Sequence, residues 1–271
     1  MKLSFSTVGC PDWMLNEVIA AAKDFGYDGI ELRGIGEDLF LPRANVFGPK
    51  RLNTSLRQLA EANLEIPCIA TDASCMLSSD KPDVADNIRE YIDLAVLIKG
   101  KSLRLLGEER QSPGENVDEA RVYDNIMAVL PYAEEKNIRL LIETNGVYAD
   151  TKRLKELVEK INSPIVGVLW DINHPYTYFN EKPEETAENI GKYVGHVHVK
   201  DSEVIEGELV YRMLGHGTLP INDFLRCLQK VGYDGYLSLE WVKRWNHELE
   251  DPGVVFPHYV RKMKKYLEDM Q

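Results

Sequence analysis

Short apolar runs alternate with helix-period stretches along the whole chain. Runs at 2–8, 29–33, 65–71, 102–107, 139–144, 166–171, 195–200 and 235–241 predict eight strands. Between them, Ile88, Tyr91, Ile92 and Ala95 recur at the i, i+3, i+4, i+7 spacing of one helix face. Ile126, Val129, Leu130 and Ala133 repeat it, as do Leu154, Leu157, Val158 and Ile161. Asp150 is placed to cap the helix after the fifth strand, and a last helix is predicted over 257–268. Strand–helix units joined by short polar segments predict a parallel sheet with its helices outside. A closed (β/α)8 TIM barrel fits the count, and such barrels run to about 250 residues. The 271-residue chain therefore reads as one domain, 1–271. An open doubly wound sheet is disfavoured, because Gly34-x-Gly36 does not extend to the dinucleotide-binding G-x-G-x-x-G. The longer connections, 34–51 and 202–220, follow strands two and seven and would lie at the C-terminal face, where barrel active sites are built.

Composition narrows the function classes. Hydrophobic residues are 44% and charged residues 28%, which places the chain among ordinary globular proteins and excludes disordered or fibrous classes. No apolar run approaches the length of a membrane span, so no membrane partner is expected. The N-terminal segment enters a strand pattern directly and lacks the apolar core of a signal peptide. With 32 basic and 44 acidic side chains the net charge is −12, a surface that repels phosphate backbones and argues against nucleic acid as a partner. Cys10, Cys68, Cys75 and Cys227 form no C-x-x-C or zinc-finger spacing, and read as reduced, buried thiols of a cytoplasmic protein.

Chemistry enters at the strand ends. In a barrel, ionisable groups at the C-terminal ends of strands are the informative ones. Strand five ends its apolar run at Glu143, strand six at Asp171 and strand eight at Glu240, while strand seven carries His196 and His198. The two histidines share a face, with His198 nearer the rim and His196 one layer deeper. Three converging carboxylates repel one another unless a cation joins them. Three oxygens and one imidazole suit a single divalent metal ion: Mn, Mg, Co, Fe or Zn. Arg33 and Arg104 also alternate inward and would meet a carboxylate or phosphate. Trp170 and Trp241 point away from the proposed ligands and read as strand-to-helix packing. Trp245, in the loop after strand eight, reads either as a cover for a sugar or as an oligomer contact.

These segments together resemble the xylose isomerase-like TIM barrels, the sugar phosphate isomerase/epimerase family. The matching stretches are Gly29-Ile30-Glu31-Leu32-Arg33, Ile142-Glu143-Thr144-Asn145-Gly146, Trp170-Asp171-Ile172-Asn173-His174, Gly195-His196-Val197-His198-Val199-Lys200-Asp201 and Leu239-Glu240-Trp241. The resemblance implies that Glu143, Asp171, His198 and Glu240 hold the metal and that His174 contacts a substrate oxygen. It also implies that Glu31 and Lys200 line the pocket, and that dimers are common in the family. Some positions depart from its ketose 3-epimerases. Their glutamate six residues after the first ligand is Ala149 here, their arginine six after the histidine ligand is Val204, and their Pro-Gly-Glu-Gly loop reads Leu214-Gly215-His216-Gly217. His216 is thus a candidate for the substrate contact of the missing loop glutamate.

Read together, the groups suit proton abstraction next to a carbonyl, giving an enediolate whose charge the metal offsets. Glu143 and Glu240, on strands five and eight, would flank the reacting carbon, one removing a proton and the other returning one. The expected function is a metal-dependent isomerase or epimerase of a small sugar, keto-sugar or sugar phosphate. The alternative is a dehydratase of an inosose or 3-dehydroshikimate type substrate, which expels hydroxide from the same site. Two further readings are weaker. The superfamily's apurinic endonucleases need extra histidine ligands in early strands, and this chain has none before His174. A non-catalytic sugar-binding barrel would not need the acid–base pair.

Overall fold

In the computed structural model, which describes residues 1–114 and 117–270, each apolar run contributes a parallel strand. The strands are β1 (Lys2–Ser6), β2 (Gly29–Glu31), β3 (Ile69–Ala70), β4 (Ser102–Leu105), β5 (Arg139–Glu143), β6 (Val166–Asp171) and β7 (Val194–Val199). After a hairpin, β8 (Asp201–Ile205) and β9 (Glu208–Arg212), comes the last barrel strand, β10 (Tyr236–Leu239). The sheet runs β2-β1-β10-β7-β6-β5-β4-β3. Its two edges meet through a parallel bridge between Leu32 and Ile69, with the Ala70 N–H donating to the Leu32 carbonyl at 2.9 Å. The fold is a TIM barrel, closed along a thin seam. That seam is thin because Pro67 has no N–H to give, so the predicted strand at 65–71 keeps only two ladder residues and two bridges, Gly29 to Glu65 and Leu32 to Ile69.

The helices α1 (Leu15–Phe25), α2 (Leu52–Ala62), α3 (Val84–Ile98), α4 (Glu119–Lys136), α5 (Thr151–Ile161), α6 (His174–Phe179), α7 (Pro183–Ile190), α8 (Ile221–Lys230) and α9 (Pro252–Glu268) follow from the same pattern. Each periodic set named above is buried against the barrel. Asp150 caps α5 by accepting the Lys152 and Arg153 N–H groups at 3.1 and 3.3 Å. Asn63, Asn137 and Asn162 end α2, α4 and α5 in the left-handed region, which their short polar side chains tolerate. The final helix begins at Pro252 rather than near 257. Asp251 caps it at the Gly253 N–H, 2.7 Å away, and Pro257 lies inside it.

Two features were not anticipated. The connection 202–220 is half hairpin: β8 and β9 pair antiparallel, Ser202 opposite Tyr211 and Ile205 opposite Glu208. Glu206 and Gly207 turn it with φ of 53° and 87°, the double positive φ of a tight hairpin turn. The second feature is a register shift. Val168 of β6 lies opposite Val194, but Leu169 lies opposite His196, so Gly195 is an extra residue in β7. A ladder continued from Val194 without the shift would pair Gly195 with Leu169 and align His196 with Trp170, whose ring packs outward on Phe224 with centroids 5.7 Å apart. The extra residue turns His196 and His198 to the inside, beside Leu169 and Asp171.

Gly195 has no space for a side chain. A Cβ there would lie 2.7 Å from Leu141 Cδ2 and 2.7 Å from Arg139 Nη1. Gly195→Ala is expected to cost about 1–3 kcal/mol by overpacking, read as a lower urea midpoint. An unchanged midpoint would show that the strand accommodates the methyl group.

The barrel interior is layered. Cys68, Leu141 and Leu169 form a small apolar floor. Two residues further along β5 and β6 come Glu143 and Asp171, so the polar layer sits on the C-terminal side of that floor. All four cysteines are buried and unbridged. Among the described residues no helix is long and apolar enough to cross a membrane.

Candidate active site

Glu143, Asp171, His198 and Glu240 meet above the apolar floor, each offering a ligand atom within 4.8 Å of the others. His198 Nδ1 lies 3.4 Å from Glu143 Oε1, 3.4 Å from Glu240 Oε1 and 3.9 Å from Asp171 Oδ2. The topology explains the meeting. Asp171 and His198 are direct neighbours across β6 and β7, and Ser238, two residues before Glu240, is the neighbour of His198 across β10. Asp171 and His198 are fully buried, and Glu143 and Glu240 nearly so.

The imidazole is oriented from below. Glu31 Oε2 accepts from His198 Nε2 at 2.9 Å and from His196 Nε2 at 2.8 Å. With its Nε2 proton spent on Glu31, His198 turns Nδ1 toward the three carboxylates. Burial alone would raise the Glu31 carboxyl, yet His198 and His196 hold it well below the usual range. Burial alone would lower His198, but Glu31, Glu240 and Glu143 raise it well above an ordinary imidazole. Burial pushes His196 down. Glu31 thus lies beneath the carboxylate–imidazole cluster, and is not among the residues that line the cavity above it.

Two cations flank the carboxylates. Lys200 Nζ is 2.7 Å from Asp171 Oδ2 and hydrogen-bonds Glu240 Oε2, all within the protein interior. Burial opposes its charge, but Asp171 and Glu240 raise it well above the usual lysine range. The hairpin covers it: its ammonium lies 5.9 Å from the centroid of the Tyr211 ring, and the Tyr211 hydroxyl donates to Gln111 Oε1 at 2.6 Å. Arg104 Nε is 3.3 Å from Glu143 Oε2. Burial opposes its charge too, and Glu143, Glu240 and Glu31 outweigh it.

The donor set fits a divalent cation. Asp171 Oδ2 and His198 Nδ1 are buried without a well-directed hydrogen bond, although Lys200 approaches the former closely. Three carboxylate oxygens and one imidazole nitrogen lie within 4.8 Å of one another, a donor set that suits a divalent ion.

A cavity of about 370 Å³ opens above the cluster, lined by Glu143, His174 and Glu240 and, further round, by Arg33, Arg104 and Trp245. His174 is fixed by its Nδ1, 2.9 Å from the Thr144 carbonyl. Nδ1 therefore donates, and burial keeps the ring below its usual pKa, so the neutral tautomer presents an Nε2 lone pair. That Nε2 has no partner and lies 3.8 Å from Asp171 Oδ2. His216 is not brought to this group. It is exposed and packs against His258, ring centroids 5.2 Å apart. Ala149 is fully buried, and Val204 is 60% exposed on the hairpin, so neither replaces the polar contact expected there. Trp170 and Trp241 face away as expected, the Trp241 indole donating to the Glu250 carbonyl at 3.0 Å. Sequence reasoning missed Tyr211, which lay in a segment read as loop. The Glu206-Gly207 pair between Val204-Ile205 and Leu209-Val210-Tyr211 was the available signal.

The profile of the xylose isomerase-like TIM barrel family matches residues 19–265, and the chain belongs to that family. The resemblance carried by the strand-end motifs is thereby confirmed. A fructoselysine 3-epimerase from Shigella flexneri is 24% identical over 263 residues, 92% of each chain. Among solved structures, the probable 3-DHS dehydratase of petrobactin synthesis from Bacillus anthracis superposes with a TM-score of 0.79 at 18% identity, over 97% of this chain and 99% of that one. The D-allulose 3-epimerase from Methylomonas sp. in complex with D-allulose gives 0.76 at 17% identity, over 98% and 97%. At such identities the structural likenesses speak to the fold.

Proposed function

We propose that the protein is a divalent-metal-dependent epimerase or isomerase of a keto-sugar or related polyhydroxy ketone. The observation that carries this reading is the approach of Glu143 Oε1 and Glu240 Oε1, from two different strands, to within 3.4 Å of one buried imidazole nitrogen beneath an open cavity. Glu143, Asp171, His198 and Glu240 would hold the ion, which when bound draws electron density from a substrate carbonyl and offsets the charge that develops beside it.

The chain's own residues then divide the work. Glu143 and Glu240 reach the cavity from β5 and from the end of β10, so they address a substrate carbon from separate directions. One carboxylate takes the proton from the carbon next to the carbonyl, and the other supplies a proton to that carbon or its neighbour. Return on the opposite face inverts the centre, and return at the neighbouring carbon moves the carbonyl. Arg104 steadies Glu143, Lys200 steadies Asp171 and Glu240, and the His174 Nε2 lone pair accepts from a substrate hydroxyl. The 24%-identical fructoselysine 3-epimerase supports this class of reaction.

A dehydratase is the second reading. Its support is the absence of polar groups at Ala149 and Val204, where ketose epimerases were expected to grip the sugar, together with the fold shared with the probable 3-DHS dehydratase. One experiment tests both. The protein is loaded in turn with Mn²⁺, Mg²⁺, Co²⁺ and Zn²⁺, and keto-sugars, inososes and 3-dehydroshikimate are incubated with it in heavy water. Carbon-bound deuterium without mass loss supports the epimerase or isomerase, and loss of one water supports the dehydratase. Chelation is expected to bring either signal to background. Exchange that survives complete chelation overturns the metal-dependent reading.

A further inference from the structure

Arg33 is a half-buried cation that the proton-transfer chemistry leaves unused. It extends the line of β2 two residues beyond Glu31, and its backbone N–H is pinned to Thr7 Oγ1 at 2.7 Å. Its guanidinium lines the same cavity as Glu143 and Glu240. Among the described residues no carboxylate comes within 4.0 Å of it, and Nη1 is buried without a hydrogen-bond partner. Asp72, an acid on the same cavity wall, is committed to the Ser74 N–H at 3.0 Å and the Ser74 hydroxyl at 2.5 Å. Arg104 beside it is likewise incomplete: Nε faces Glu143, and Nη1 has no partner. Burial first, then Arg104, brings the Arg33 pKa down to about 10, which leaves it charged at neutral pH. The Trp245 ring stands 5.5 Å from the guanidinium and flanks the cavity.

A partly desolvated guanidinium without an anion is costly, and its planar fork matches an oxyanion with two acceptor atoms. The neighbouring arginine compounds the cost instead of relieving it. In a chain of net charge −12, two incompletely paired arginines at one cavity mark where negative charge is wanted. We propose that the substrate carries an oxyanion, a carboxylate or a phosphate ester, seated on Arg33 and the free edge of Arg104. Trp245 walls that end, and the keto end faces Glu143 and Glu240. Only the placement of the keto end rests on the epimerase reading.

The test uses three compounds that share a keto end and differ at C6: D-fructose, D-fructuronate and D-fructose 6-phosphate. Binding to the metal-loaded and to the chelated protein is measured by calorimetry. At least one anion is expected to bind about tenfold or more tighter than fructose, and whichever anion wins distinguishes carboxylate from phosphate. Arg33→Met is expected to bring that preference to within about twofold, with Arg33→Lys retaining part of it. Equal binding of all three, no binding of either anion at roughly millimolar concentration, or a preference that survives Arg33→Met overturns the proposal. Should Arg33→Met fail to fold, the wild-type order and Arg33→Lys decide. Deuterium uptake by the same compounds separates the two readings. Exchange from fructose alone overturns the anion seat and leaves proton transfer standing, while Arg33-dependent anion binding without exchange leaves the seat and counts against proton transfer.

Discussion

Glu143→Gln and Glu240→Gln are each expected to slow deuterium exchange into substrate by about 10²–10⁴-fold, the range set by loss of a positioned acid or base. Both amides keep the shape of the side chain and lose its basicity, and both lose a negative charge from a group facing His198 Nδ1. Metal content measured on the same variants separates the two causes. A variant that retains its metal yet loses exchange has lost a proton carrier. Near-normal turnover in either variant would remove that residue from the mechanism.

Lys200→Met is expected to destabilise the metal-free protein by about 3–5 kcal/mol, the usual consequence of stripping one partner from a buried ion pair. The methionine would fill the space but leave Asp171 and Glu240 facing each other without the ammonium that contacts both. At this chain length that corresponds to a fall in melting temperature on the order of ten degrees. A divalent ion held by the same carboxylates would supply the missing positive charge, so the deficit should shrink when metal is added, by the ordinary linkage of ligand to folded state. A deficit that is the same with and without metal would show that Lys200 supports packing alone.

The barrel and its four-residue cluster were legible because the strands are apolar runs and β5, β6 and β10 each give way to a single carboxylate at the C-terminal end. Asp171 and Glu240 stand out against Leu169-Trp170 and Ser238-Leu239 for that reason. The choice of His198 over His196 followed from distance to the rim, and the structure places His196 below it, on Glu31. What lay out of reach was pairing between remote elements. Glu31 stands in a three-residue strand and meets His198 across 167 positions, with no local pattern to announce the contact. The length of the final helix was misread because Pro257 looked like a start, whereas Asp251-Pro252 supplies the cap. Tyr211 was hidden because Leu209-Val210-Tyr211 is an apolar run of only three residues inside a connection between two barrel strands.

The spare residue at Gly195 carries a lesson for anyone editing this chain. Parity along β7 decides which side chains see the cavity and which see the helices. Removing Gly195 itself would only straighten the ladder, since Val194 and His196 already lie opposite consecutive residues of β6, whereas losing Val197 would put the two imidazoles on opposite faces of the strand while every candidate site residue remained present in the gene. Alignments that treat a one-residue gap between the two histidines as neutral would score such a sequence as intact, although one of its imidazoles would face the helices.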